Sequence, residues 1–224
     1  MQKFSELIGQ LKLVFGNFTS IIEVILPVLI FTILQGQTTL EWALFFAGIP
    51  VLILLIYRLV NKQSLLYLVM GSSGLLISFV VAWVSGTTEG FFLPSILTDL
   101  IIVVICLISL IIKKPFVALS SHLTRKWPLD WYWHDTVRPA YARITMIWLV
   151  YFILRIFPQW ILFSQGDTKR LGWLNILTGF PGLVVLLIGS YLYGQFLLKR
   201  LNGPSVEEFK QKTPPPWEGQ KSGF

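Results

Sequence analysis

Phe91-Phe92-Leu93-Pro94-Ser95-Ile96-Leu97-Thr98-Asp99-Leu100-Ile101-Ile102-Val103-Val104-Ile105-Cys106-Leu107-Ile108-Ser109-Leu110-Ile111-Ile112 is apolar almost throughout and stops at Lys113-Lys114-Pro115. Coiled as a helix at 1.5 Å per residue, it reaches ~33 Å, enough for a hydrocarbon layer of ~30 Å. Its sole charged side chain is the carboxylate of Asp99. Around this run the chain repeats the same theme. Apolar stretches at Phe18–Gln35, Leu40–Tyr57, Leu65–Val84, Tyr141–Phe163 and Leu171–Leu198 bring the expected crossings to six. Turn-forming clusters separate them, among them Gly36-Gln37-Thr38-Thr39, Asn61-Lys62-Gln63-Ser64 and Ser164-Gln165-Gly166-Asp167. Backbone groups in lipid need partners within their own segment, so spans of this kind fold as helices. No segment alternates as a barrel strand would.

Composition agrees with that reading. Of 224 residues 54% are hydrophobic and 13% charged, with a mean hydropathy of +0.70. An average soluble domain is about one quarter charged. A soluble enzyme, a nucleic-acid-binding domain and a secreted disulfide scaffold are all poor fits, and the single Cys106 permits neither an internal disulfide nor a multi-cysteine metal site. The net charge of +7 is a topology signal. All but three of the 18 Lys and Arg fall at the termini, after span two, between spans four and five, or after span six. Lys169 and Arg170 lie on the other side, and Arg155 lies within a span. The positive-inside rule then puts both termini in the cytoplasm.

Residues 1–15 do not read as a signal peptide, because they lack a continuous apolar core and a small-residue cleavage site. Phe4, Leu7, Ile8, Leu11 and Phe15 recur at helical spacing, as in an amphipathic helix on the cytoplasmic leaflet. Residues 18–202 form the six-helix transmembrane domain. Residues 203–224, with Thr213-Pro214-Pro215-Pro216-Trp217, have no evident face to bury and are expected to be disordered.

Charge inside lipid costs roughly 3 kcal/mol, so it points to a partner. With span four entering from outside and span five leaving toward it, Asp99 and Arg155 each lie eight residues from the outer end, ~12 Å deep. Ser95, Asp99, Cys106 and Ser109 share one stripe of span four, and Gln159 is one turn beyond Arg155. An internal Asp99–Arg155 ion pair with Gln159 and Ser95 beside it is predicted, either as a packing clamp or as a polar site for a solute. Ser20-x-x-Glu23 has capping-box spacing. Pro27, Pro50, Pro94 and Pro158 are candidate kinks. Gly71, Gly74, Ser78 and Ser85 on span three, and Asn175, Gly179, Gly182 and Gly189 on span six, form small-residue faces for close helix packing.

The connection from Lys113 to Arg143 contains Trp127, Trp131, Tyr132, Trp133 and His134 among cations. Such a mixture is expected to anchor an interfacial helix at the headgroup level. Asp130 and His134 are one turn apart, but two histidines without supporting ligands make a metal site the poorer reading. No cofactor motif is present: there is no Gly-rich phosphate loop, no HExxH and no Gly-x-Ser-x-Gly.

Several segments, in order and spacing, resemble the uncharacterised bacterial membrane-protein family DUF3159. They are Ile22-Glu23-Val24-Ile25-Leu26-Pro27-Val28-Leu29-Ile30-Phe31, Phe91-Phe92-Leu93-Pro94, Lys113-Lys114-Pro115-Phe116, Leu154-Arg155 with Gln159, and Leu171-Gly172-Trp173. Phe-x-x-Pro before an apolar span with a basic-Pro end is more distantly similar to the intracellular septation protein A group. The resemblance implies a multi-pass protein of a bacterial cytoplasmic membrane and supplies no catalytic residues. The expectation is therefore a non-enzymatic structural or accessory component of a membrane or envelope complex. Its partners would be the lipid bilayer and other membrane subunits, not nucleic acid. The alternative is a small-solute or ion transporter using Asp99 and Arg155, and a weaker one is a lipid or quinone enzyme at the Trp127–Asp135 surface.

Overall fold

The computed structural model describes residues 18–61, 65–220 and 223–224. The N-terminal amphipathic helix expected over 1–17 lies outside them, as do the side chains of the Ser20–Glu23 capping box and the face at Gly71. Among the described residues the regular secondary structure is helical, apart from an isolated bridge between Gln35 and Thr38. In order the helices are α1 (Phe18–Leu34), α2 (Leu40–Val60), α3 (Leu65–Ser85), a 3-10 turn (Glu89–Phe92), α4 (Leu93–Ile111), α5 (Phe116–Arg125) and α6 (Leu129–Trp133). They continue with α7 (Arg138–Ser164), α8 (Thr168–Thr178), α9 (Phe180–Leu201) and α10 (Val206–Lys210).

Among the described residues, four stretches are long and apolar enough to cross a bilayer: Leu40–Tyr57, Glu89–Ile111, Arg138–Ser164 and Thr168–Leu201. Shorter apolar helical pieces cover Ile25–Leu34 and Ser73–Ser85. Four crossings thus stand on length and composition alone, against the six expected from sequence. Pro27, Pro50 and Pro158 lie inside continuous helices, and Pro94 sits in the first turn of α4, where a missing N–H costs little.

The sixth apolar stretch differs from expectation. Instead of one helix over Leu171–Leu198 it is two, α8 and α9, joined at Gly179. Gly179 has ψ −109, off the helical value, and its N–H still closes onto Asn175 O at 2.8 Å. Pro181 follows and has no N–H to give back, so a continuous helix loses a bond and meets the ring.

The chain divides into two compact units. One comprises residues 18–99 and 155–183 of the described chain. Its core gathers Phe31, Ala43, Ala47, Ala82, Phe91, Phe92 and Leu171. The Phe31 and Phe91 rings stack with centroids 4.0 Å apart, and Gln35 Nε2 donates to Thr168 O at 2.7 Å, tying the end of α1 to the start of α8. Gly172 is needed there, since a Cβ would run into the Thr32 side chain. Gly74 and Gly189, by contrast, have nothing near a would-be Cβ, so these two members of the small-residue faces do not serve close packing. Glycines where a Cβ would collide include Gly172, Gly90 and Gly179 in this unit and Gly194, Gly203 and Gly223 in the other.

The second unit comprises Leu100–Leu154 and Val184–Phe224. Its core is aromatic: Trp131, Tyr132 and Tyr141 are fully buried with Ile144, Val117 and Leu197. Trp131 Nε1 donates to Pro204 O at 2.8 Å, and the Tyr132 hydroxyl is 3.1 Å from Ser121 Oγ. Burial pushes the Tyr132 phenol up, against the pull of Ser121 and Arg125. Trp148 Nε1 donates to Ser190 Oγ at 2.8 Å, satisfying an indole that would otherwise bury a bare N–H.

Residues 203–220 carry defined structure in place of the expected disorder. Ser205 and Glu208 form a reciprocal capping box at the start of α10. The Glu208 carboxylate also takes Glu218 N at 2.7 Å and Gly219 N at 3.3 Å, folding the proline-rich stretch back on the helix. Those N–H groups, with that of Ser205, hold the Glu208 carboxyl down at about 2. The Phe224 ring stacks on Tyr141 at 4.3 Å, and Arg125 Nε donates to Phe224 O at 3.0 Å.

Candidate functional site

The polar residues of the first unit converge on Arg155. In α7 the Arg155 side chain is only 9% exposed, and Asp99 in α4 only 3%. Arg155 Nη1 donates to Asp99 Oδ1 at 2.6 Å, a charge-assisted bond at the short end of its range. Nη2 donates to Asn175 Oδ1 at 3.1 Å and Nε to Thr178 Oγ1 at 3.1 Å, both from α8. Each nitrogen of the guanidinium therefore has its own protein acceptor. The planar fork suits that role, which a lysine point charge could not fill.

Asn175 is the hub. Its Nδ2 donates to Leu171 O at 3.0 Å, which turns Oδ1 toward Arg155 Nη2, Gln159 Nε2 at 3.2 Å and the Ser95 hydroxyl at 3.1 Å. Ser95 Oγ is also 2.8 Å from Phe92 O, and Thr178 Oγ1 donates to Leu174 O at 2.6 Å, leaving its lone pairs for Arg155. The helix break at Gly179 lies directly after Thr178. Irregular backbone within a crossing is tolerated where protein groups surround it.

All four residues expected at this site, Asp99, Arg155, Gln159 and Ser95, are brought together in one network. Asn175 and Thr178 were not expected in it. Asn175 read as part of a small-residue face, yet an amide in an apolar run just before Gly179 and Pro181 is itself a signal of a hydrogen-bonding role. Two acceptors stay without a partner, Asp99 Oδ2 and Gln159 Oε1.

Two of the residues expected to anchor at the headgroup level are turned into the protein. Trp131 and Tyr132 are fully buried in the second unit, and Trp127 and Trp133 are half-buried against the same core. Trp131, with no exposed surface, cannot sit among headgroups. Arg125 lies over the Trp127 ring at 4.7 Å. The half-buried His134 points Nδ1 at Thr136 Oγ1, 2.8 Å away, and meets the rings of Phe209 and Trp217 edge-on, while Asp130 is exposed. Among the described residues no three His, Cys, Asp or Glu side chains gather as a metal site would need.

An all-helical chain with several bilayer-length apolar helices and a buried guanidinium network is a multi-pass membrane protein in build. A family profile described as "Protein of unknown function (DUF3159)" matches residues 15–199, and the chain belongs to that family. No curated protein and no solved structure matches the chain, so the likeness to the septation protein A group gains no support.

Proposed function

We propose that this chain is a non-enzymatic, six-crossing protein of a bacterial cytoplasmic membrane, with both termini cytoplasmic, that serves as a structural or accessory component of a membrane or envelope assembly. The observation behind this reading is that all three nitrogens of Arg155 are engaged: Nε, Nη1 and Nη2 each donate to a protein acceptor of the same unit. A guanidinium so occupied locks α4, α7 and α8 together and leaves little incentive for an incoming anion to displace three bonds at once. Its partners are lipid and other membrane subunits.

Purification from native membranes in mild detergent tests the proposal, and a stoichiometric protein partner is the expected result. The competing reading is a small-solute or ion transporter, favoured by the helix break at Gly179 beside the buried pair. Solute flux in liposomes that disappears with Asp99→Asn or Arg155→Gln would replace the accessory role with transport. Labels placed within Gly36–Thr39 and after the last residue should report opposite sides of the membrane, and a shared side would overturn the six-crossing topology.

A further inference from the structure

The nine tryptophans divide by unit. Trp42, Trp83, Trp160 and Trp173 are 56%, 80%, 55% and 42% exposed, and all four belong to the unit built from residues 18–99 and 155–183. The five in the other unit are buried or half-buried. Of those five, Trp131, Trp148 and Trp217 each donate the indole N–H to a protein oxygen at 2.8 Å. Among the described residues none accepts from the four exposed indoles. These four also share one end of their unit. Gln35 Nε2 reaches Thr168 O, the Phe31 and Phe79 rings both pack on Phe91, and Glu89 Oε1 comes up against Gly166. The turns at 35–39, 85–90 and 164–168 therefore gather together. Trp42 lies two residues past the start of α2, Trp83 two before the end of α3, Trp160 four before the end of α7 and Trp173 five past the start of α8. At 1.5 Å per residue they sit ~3–8 Å from the helix ends.

A band at that height matches the polar layer of a bilayer leaflet. A hydrocarbon core of ~30 Å within a total of ~40–45 Å leaves ~5–8 Å on each side. Indole suits this layer: its ring is apolar, and its N–H needs an acceptor, which ester and phosphate oxygens offer and acyl chains do not. The neighbouring side chains follow the same gradient. Toward the turns the exposed residues include Gln37, Thr87 and Gln165, and away from them Ile53, Ile77 and Phe157. Lys169, exposed one helical turn before Trp173, brings a cation for lipid phosphate. We propose that Trp42, Trp83, Trp160 and Trp173 form an aromatic belt seated in the headgroup layer of a phospholipid leaflet. Arg155, five residues before Trp160 on α7, then lies ~8 Å beneath the belt. That the leaflet is the outer one rests on the topology proposed above, whereas the belt rests on the geometry of one unit.

The test is fluorine NMR of the full chain, labelled with fluorotryptophan and held in phosphatidylcholine nanodiscs. Single Trp→Phe changes assign the four signals, and Trp→Tyr serves at any position where phenylalanine does not fold. Lipid carrying a nitroxide on its headgroup should erase the signals of Trp42, Trp83, Trp160 and Trp173. Lipid carrying it at the acyl-chain end should leave most of their intensity, and the fully buried Trp131 should keep its signal with both. Stronger loss with the chain-end nitroxide would place the four rings in the hydrocarbon and overturn the belt. So would indifference to both lipids, the result expected if a protein subunit or a second copy covers them. The label within Gly36–Thr39 separates the two readings: a belt that responds as expected beside a label on the cytoplasmic side keeps the belt and overturns only the topology.

Discussion

Removing the Asp99 carboxylate should expose how tightly the buried pair is coupled. Asp99→Ala takes the acceptor from Arg155 Nη1 and leaves a guanidinium that is 9% exposed with Asn175 and Thr178 alone. With charge centres roughly 4 Å apart and an effective dielectric near 20, the lost attraction is about 4 kcal/mol. Breaking one side of a buried pair costs about 3–5 kcal/mol in general, because the surviving charge is stranded. In an Arg155→Ala background no cation remains to strand, and the same Asp99→Ala change should cost only about 1 kcal/mol, the worth of an ordinary hydrogen bond. The coupling energy is then about 2–4 kcal/mol, in the upper part of the range for contacting residues or just beyond it. Unfolding in mixed micelles, followed by tryptophan fluorescence, measures all four corners of the cycle. Additivity within about 0.5 kcal/mol would refute the clamp and with it the ordering of α4, α7 and α8 around Arg155.

Gly172→Ala should destabilise by about 1–3 kcal/mol, as overpacking does, and Thr32→Ala should recover part of that loss in thermal unfolding because Thr32 is what the new methyl meets. Trp131→Phe should cost about 1–3 kcal/mol by orphaning the buried Pro204 carbonyl, and residues 203–220 should become more susceptible to trypsin. The Glu208 carboxyl sits at about 2, below its ordinary 4.5, so the order it confers is full above about pH 4.5 and fades as pH falls toward 2. Amide exchange at Glu218 and Gly219 should accelerate over that window, and Glu208→Gln should flatten the response.

The apolar runs and the pairing of Asp99 with Arg155 were legible because a charge in an apolar segment advertises a partner. Asn175 was harder to place. An amide is a weak signal beside three glycines, and only its donation to Leu171 O shows which way it faces. The break between α8 and α9 was marked by Gly179 and Pro181, but hydropathy runs smoothly across it and concealed the interruption. Trp131 and Tyr132 misled because α6 is a single five-residue turn. So short an element has no periodicity to separate a buried face from a lipid-facing one. The order after residue 203 was written in Ser205-x-x-Glu208, the same spacing that stood out at Ser20-x-x-Glu23, and the prolines nearby drew the reading toward disorder instead.

The distance along the chain between Asp99 and its counter-ion sets a timetable for biosynthesis. Asp99 leaves the ribosome 56 residues before Arg155, and at ~5–20 residues per second its segment waits several seconds for a cation. Among the described residues, that segment is the most apolar of the four bilayer-length stretches, and the one bringing Arg155 is the least. The early arrival is greasy enough to enter lipid bearing an unanswered carboxylate. The late one is drawn in toward a charge already in position.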